Sequence, residues 1–373
     1  MQSVHTQTRE RTDSAVERLP PDAIGGRHRA YTTSTPGELF RVLPLTGAAA
    51  RSVSAGRRMT RRVLAGDDDR LLVIVGPCSV HDMDAGLAYA ESLGELAHRL
   101  ADDVAVVMRV YVEKPRTTVG WTGLLADPAL DGSLDVDRGL RTARELMLRI
   151  AEQGLPIATE WLSPAAPAYL ADLISWGAIG ARTVESQVHR QLASGLPMPV
   201  GMKNGSTGSV GVAVDAIRSA AAPHAYLGFD RDGRPVTLRT SGNPDCQVVL
   251  RGGAGRPNYR PEDVRETVDR LSAAALPTGL VIDASHGNSD KDHERQAVVA
   301  REIGAQVAAG DTDIRGVMLE GFLVPGRQEL GLDEPVFGQS VTDACMGWDT
   351  TAAVLVDLAA AARSRRRRTA RAA

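Results

Sequence analysis

Cys78, His286 and Glu320 are soft, borderline and hard ligand types, and each stands at the end of a short apolar run: LLVIVGPCS, LVIDASHG and GVMLEGFL. Asp343, in SVTDACMGW, can complete the set. A mixed sulfur, nitrogen and oxygen set is not a closed structural zinc site, which is usually rich in Cys and His. It suits a catalytic divalent ion chosen loosely among manganese, cobalt, iron and zinc. The ends of the other apolar runs carry Arg109 with Lys114, then Glu160, Arg182, Lys203 and Arg251, with Arg116 nearby in KPRTT. Each charge-assisted contact to a phosphate or carboxylate oxygen contributes about 1.5–3 kcal/mol. So many cations exceed the need of one carboxylate and suit one polyanionic substrate, or two.

Lysine usage narrows the choice. Of 43 Lys plus Arg only Lys114, Lys203 and Lys291 are lysine, so forty are arginine. Where arginine serves as the general surface cation, a retained lysine marks a place that needs a compact ammonium. Lys114 and Lys203 are therefore read as site residues. Lys291, five residues after His286, is read as a bystander. Taken singly, each candidate has an ordinary explanation as a packed thiol, a solvated charge or a core histidine. Their shared position at the ends of successive runs is what points to one site.

Those runs need a scaffold. They lie at 71–79, 104–114, 156–162, 178–184, 199–205, 247–253, 280–287 and 316–323. They lack strict alternation, as strands covered on both faces do. Amphipathic segments such as DAGLAYAESLGELAHRL fall between them and read as helices. Eight strands, mostly each followed by a helix, predict an α/β fold, a (β/α)8 TIM barrel whose chemistry collects at the C-terminal strand ends. An open doubly wound sheet is the alternative, but its glycine-rich dinucleotide turn is absent. Residues 225–245 break the rhythm and predict an inserted β-hairpin before the sixth strand. The expected division is a polar extension at 1–35, a catalytic barrel at 36–363 and a basic tail at 364–373.

Composition bounds the rest. The chain has 373 residues, 43% hydrophobic and 24% charged, with a net charge of −3. That balance gives no reason to expect nucleic acid or an anionic membrane as partner. The four consecutive arginines of the tail, with no interleaved aromatics, read as a solvated helix end. Three cysteines are too few for a disulfide framework, no apolar stretch has membrane-spanning length, and the N-terminus lacks a signal-peptide core. A soluble cytoplasmic protein is expected.

The segments GPCS, MRVYVEKPRTTVGWTGLLADP, GAIGARTVESQVHRQLASG, VGMKNG, SGNPDC with LRGG, DASHGN and TDACMGW closely resemble the type I 3-deoxy-D-arabino-heptulosonate 7-phosphate (DAHP) synthases, the class with phenylalanine-, tyrosine- and tryptophan-regulated isoenzymes. The similarity runs from about Pro36 to about Arg363. It implies condensation of phosphoenolpyruvate with D-erythrose 4-phosphate, the first step of the shikimate pathway toward aromatic amino acids. It implies a divalent metal on Cys78, His286, Glu320 and Asp343. It further implies phosphoenolpyruvate on Arg109, Lys114, Glu160, Arg182, Lys203 and Arg251, and the acceptor phosphate on Arg116 and Thr117. Catalytic work falls to Lys114, Glu160 and Lys203. Lys114 suits proton donation because burial and neighbouring cations are expected to lower its pKa. The family is typically dimeric or tetrameric, so a homodimer or homotetramer is expected, with RVLPLTGAAA available to pack on a neighbour.

The chain departs from the usual pattern at Gly321-Phe322, Ser163, NGSTG, SGNPDCQ and Pro197. Pro197 stands where feedback-controlled relatives often have Ser. Two readings compete with the main one. One keeps the chemistry with another aldose phosphate, against which KPRTT argues. The other is a silent regulatory partner, which would be expected to lack a ligand or cation, and none is missing. Cys345, two residues from Asp343, is expected to form a disulfide with Cys78 when metal-free protein meets air. Cys246 reads as packing.

Overall fold

The computed structural model describes residues 31–331 and 334–372. Most of the expected extension at 1–35 therefore lies outside the described residues. Ten strands matter here: β1 (Leu71–Gly76), β2 (Val104–Arg109), β3 (Ile157–Glu160), β4 (Trp176–Ile179), β5 (Val200–Lys203), β6 (Ala225–Phe229), β7 (Pro235–Arg239), β8 (Cys246–Leu250), β9 (Leu280–Asp283) and β10 (Ile314–Glu320). Eight of them close into a parallel barrel in the order β1, β2, β3, β4, β5, β8, β9, β10 and back to β1. The expected (β/α)8 barrel is what forms. β6 and β7 make the inserted antiparallel hairpin, pairing Ala225 with Arg239 and Phe229 with Pro235 ahead of the sixth barrel strand, β8.

Alternate strand residues serve two different cores, which explains the unbroken apolar runs. Leu71, Val73, Val75, Val104, Val106 and Met108 pack outward against the helices. Leu72, Ile74, Ala105 and Val107 point inward and meet Ala158, Trp176, Ala178, Val249, Val281 and Met318. The large indole of Trp176 fits because Gly201 faces it, where a Cβ would overlap the ring.

The bottom of this interior is closed by the helix Gly47–Ala65, whose Val63 joins the inner core with Met59 and Leu64 against it. Thr46 caps its start and left-handed Gly66 its end. RVLPLTGAAA leads into this plug, and Leu39, Ala49 and Val53 are buried in the chain's own core. Within RVLPLTGAAA itself Ala49 alone is buried, while Val42 is 63% and Leu45 39% exposed.

At the other end of the chain lies the basic run at 364–373. The last helix, Trp348–Ala372, continues through it. Arg365 is buried and donates to the carbonyls of Ile314, Asp69 and Arg70, at the entries to β10 and β1. Arg366 pairs with Asp69 and Asp103. These arginines are anchors for the barrel's N-terminal end. No described helix is long and apolar enough to cross a membrane.

Candidate active site

Four of the candidate side chains are the last residues of barrel strands: Arg109 on β2, Glu160 on β3, Lys203 on β5 and Glu320 on β10. Arg251 follows β8 directly, His286 comes three residues after β9, and Arg182 lies in the turn after β4. That turn begins earlier than expected, because β4 occupies 176–179 rather than 178–184. Together with Lys114, Arg116, Thr117 and Asp343 these residues line one cavity of about 240 Å³ at the C-terminal end of the barrel. Cys78, the remaining candidate, is fully buried and does not line that cavity.

Cys78 Sγ, a Glu320 oxygen and an Asp343 oxygen lie within 4.8 Å of one another. Lys114 Nζ sits against them, 2.7 Å from Cys78 Sγ and 3.1 Å from Asp343 Oδ2. Sulfur and oxygen donors converging around a positive charge fit a divalent ion. His286 adjoins the group, its Nε2 3.7 Å from Glu320 Oε1. Burial disfavours the Lys114 ammonium, but Cys78, Glu320 and Asp343 outweigh it and raise its pKa. That corrects the expected lowering, because anions rather than cations surround the lysine. Burial, with Glu320 beside it, pushes the Cys78 thiol up to about 11. Asp343 is held below the usual carboxylate range: burial opposes this, but Lys114 and Lys291 prevail.

Lys291 was expected to be a bystander, yet it too lines the cavity, with Nζ 3.3 Å from Asp343 Oδ1. Its backbone is left-handed, φ +61°, as are those of Asp290 and His286. Such conformations are uncommon for residues with a Cβ, so the folded surroundings hold this loop in place. All three lysines of the chain therefore face one cavity.

Three supports escaped the sequence reading. Asp283, wholly buried, accepts from Lys203 Nζ at 3.1 Å and sits 2.9 Å from His286 Nδ1. The DASHG motif contained it, and its place one turn before a ligand-type histidine was an available signal. Gln296 braces Glu320 through both its backbone N–H and C=O, at 2.6 and 2.9 Å. Glu113 accepts from the backbone N–H groups of Leu162 and Ser163, tying the Lys114 loop to the end of β3. Burial pushes its carboxyl up to about 7.

The cations fall into two zones. Arg109 pairs with Glu320, Lys203 with Asp283, and Lys114 with Asp343. Arg116, Arg182 and Arg251 make no ion pair among the described residues, and Arg182 donates to Thr117 Oγ1 at 3.2 Å. Guanidinium groups gathered without carboxylates are arranged for a ligand's anionic oxygens.

Glu160 is positioned by what is missing beside it. A Cβ on Gly180 would overlap Glu160 Oε1. Gly180→Ala keeps an ordinary backbone but must displace that carboxylate. Turnover is expected to fall about 100-fold, the scale of a 1 Å misplacement, with little change in Tm. A normal kcat would show that the position of Glu160 does not matter.

Gly321, one of the departures, is explained by packing: a Cβ there would come 2.5 Å from Thr351 Oγ1. Phe322 is buried against Tyr89 and His81, away from the cavity. Cys246 is buried in β8, as expected of a packing residue. Cys345 Sγ accepts from the Cys78 backbone N–H at 3.3 Å, so the two thiols are neighbours. Metal-stripped protein kept in air is expected to lose activity through a Cys78–Cys345 disulfide, and Cys345→Ser should slow that loss. Equal inactivation rates for parent and variant would refute the pairing.

A family model described as the DAHP synthetase I family matches residues 48–356. The Phe-sensitive phospho-2-dehydro-3-deoxyheptonate aldolase of Escherichia coli (strain K12) is 50% identical over 332 residues, covering 89% of this chain and 95% of that protein. The phospho-2-dehydro-3-deoxyheptonate aldolase of Corynebacterium glutamicum is 48% identical over 340 residues, covering 89% and 92%. The solved structure of phospho-2-dehydro-3-deoxyheptonate aldolase from Francisella tularensis SCHU S4 matches with a TM-score of 0.90 at 44% identity, over 91% of this chain and 99% of that one.

Proposed function

The chain belongs to the DAHP synthetase I family, and on that footing we propose how the residues of the cavity divide the reaction. The enzyme condenses phosphoenolpyruvate with D-erythrose 4-phosphate to give DAHP and phosphate, the step that opens the shikimate pathway. The observation that carries the division of roles is the cavity's charge: seven lysines and arginines face Glu160, Glu320 and Asp343. Two phosphorylated substrates answer that excess.

Phosphoenolpyruvate lies on Arg109, Lys114, Glu160, Arg182, Lys203 and Arg251. Arg116 and Thr117 hold the phosphate of erythrose 4-phosphate. Cys78, His286, Glu320 and Asp343 hold a divalent ion, one of manganese, cobalt, iron or zinc; when bound, it serves as the Lewis acid that polarises the acceptor aldehyde. C3 of phosphoenolpyruvate attacks the aldehyde carbon, and Lys114 gives a proton to the new alkoxide. The positive charge left at C2 is met by a water that Glu160 and Lys203 orient. The tetrahedral species then releases phosphate by C–O cleavage, with Arg182 and Arg251 beside the leaving group.

The protein acts in the cytoplasm as a homodimer or homotetramer. Three unpaired cysteines support the reducing compartment. Exposed Leu227 and Phe229 on the hairpin, with Val42 near the N-terminal plug, support burial against another copy.

Phosphate release from phosphoenolpyruvate tests this reading, with erythrose 4-phosphate compared against ribose 5-phosphate and arabinose 5-phosphate. Turnover with erythrose 4-phosphate alone, abolished by a chelator and restored by metal, is expected. Turnover only with another aldose would overturn the acceptor. Silence with all three from folded, metal-loaded protein would overturn the activity.

A further inference from the structure

Beyond Arg109 the chain keeps alternating its side chains: Val110 and Val112 join the outer core, while Arg109 and Tyr111 line the cavity. Tyr111 is only 3% exposed, and the Arg109 guanidinium lies 3.9 Å from the centre of its ring. Its hydroxyl has no protein hydrogen-bond partner among the described residues. A buried phenol O–H ordinarily has one, and a valine or phenylalanine would satisfy the packing without leaving a polar atom unpaired. Tyr89 also carries an unpaired hydroxyl among the described residues, but it packs against Phe322 and Trp348 and does not line this cavity. Tyr111 is therefore the buried tyrosine whose unpaired hydroxyl belongs to a ligand site.

The charged groups acting on that hydroxyl are Arg109, Lys203, Glu160 and Asp283. Two of them, Lys203 and Glu160, are the residues assigned above to the attacking water. Lysine can only donate to that water and an ionised glutamate can only accept from it. A water so held has one further O–H to place before a lone pair can be aimed. The phenol oxygen can accept that O–H, which no cation of the cavity can do. Burial pushes the phenol's pKa up, so the group stays neutral and takes no proton from the water.

We propose that Tyr111 is a further catalytic residue, the third hydrogen-bond partner of the water that attacks C2 of phosphoenolpyruvate. In that step the water oxygen forms its bond to C2 with its own lone pair, cancelling the positive charge there. The proton it sheds passes to Glu160. Tyr111 neither gains nor loses a proton; it fixes the water's orientation. The inference rests on the division of roles under the proposed function.

Tyr111→Phe tests it, because the ring and its stacking on Arg109 survive and only the hydroxyl oxygen goes. With erythrose 4-phosphate and reconstituted metal, kcat is expected to fall about 10–100-fold, since one or two factors of ten correspond to one hydrogen bond to a charged or reacting group. The KM and directly titrated Kd for phosphoenolpyruvate should stay within about twofold, as expected for an interaction made after binding. Tm should be unchanged or slightly raised, because a buried unpaired oxygen has been removed. An unchanged kcat would overturn the proposal. So would a raised Kd for phosphoenolpyruvate with kcat preserved, which would place the hydroxyl on the substrate instead. A loss of kcat matched by a fall in Tm would reduce the residue to a structural role. Failure of the underlying reading shows separately, as parent protein that releases no phosphate with erythrose 4-phosphate.

Discussion

Lys114→Arg is expected to fold as the parent does and to turn over about 10²–10⁴ times more slowly, the range of a lost general acid. The side chain is almost enclosed, with its ammonium 2.7 Å from Cys78 Sγ and 3.1 Å from Asp343 Oδ2. Arginine keeps the charge, so the anions around it stay compensated and stability should change little. What it cannot do is bring one compact N–H to the alkoxide, because its planar fork does not fit the space of a single nitrogen. The surrounding anions raise the pKa of Lys114, so the lysine enters the reaction charged and gives its proton only to a group as basic as the new alkoxide. Steady-state kinetics beside metal content and Tm settle the matter. Near-normal kcat in a metal-loaded variant would remove Lys114 from the proton-donor role.

What could be read ahead of the structure was whatever has a local cause. Runs such as LLVIVG and VAVVMR announce strands buried on both faces, because each alternate residue serves a different core. The barrel then dictates that strand ends meet, and Arg109, Glu160, Lys203 and Glu320 do so without any contact being known beforehand. The hairpin was visible because AYLGF and PVTLR interrupt the strand–helix rhythm. Residues whose meaning lies in a distant partner stayed hidden. Lys291 follows its histidine by five residues and looked incidental, because its partner Asp343 is 52 residues further on. Asp283 looked like a strand terminus until Lys203 was found 80 residues away. Glu113 stands beside Lys114 in sequence, yet its carboxylate is spent on the backbone of 162–163. Arg365 is the same case in reverse: in a run of arginines nothing marks the one that turns inward to carbonyls at the base of the barrel.

Asp283→Asn should weaken the protein and its metal site together. One oxygen of Asp283 serves Lys203 Nζ and faces His286 Nδ1 at 2.9 Å; the other accepts from the backbone N–H of Ser285 at 3.0 Å and from its hydroxyl. An amide cannot meet both demands. With its NH₂ toward Lys203 it sets donor against ammonium and leaves a buried charge unpaired, a loss of about 3–5 kcal/mol for broken buried pairs. With its NH₂ toward Ser285 it meets a backbone N–H, and the remaining carbonyl lacks the charge that Lys203 needs. The histidine suffers separately. A carboxylate that accepts from Nδ1–H leaves the Nε2 lone pair directed at Glu320 and its neighbours, the form a metal ligand requires. An NH₂ in its place favours the opposite tautomer, with a proton on Nε2. Metal affinity, read by competition with a chromophoric chelator, is expected to fall about 10–100-fold, as for other lost partners of ligating histidines. Urea unfolding should show the stability loss in metal-free protein as well. Unchanged unfolding with unchanged metal affinity would mean that neither Lys203 nor His286 depends on this carboxylate. A stability loss alone would confine Asp283 to neutralising Lys203 and free His286 from its control.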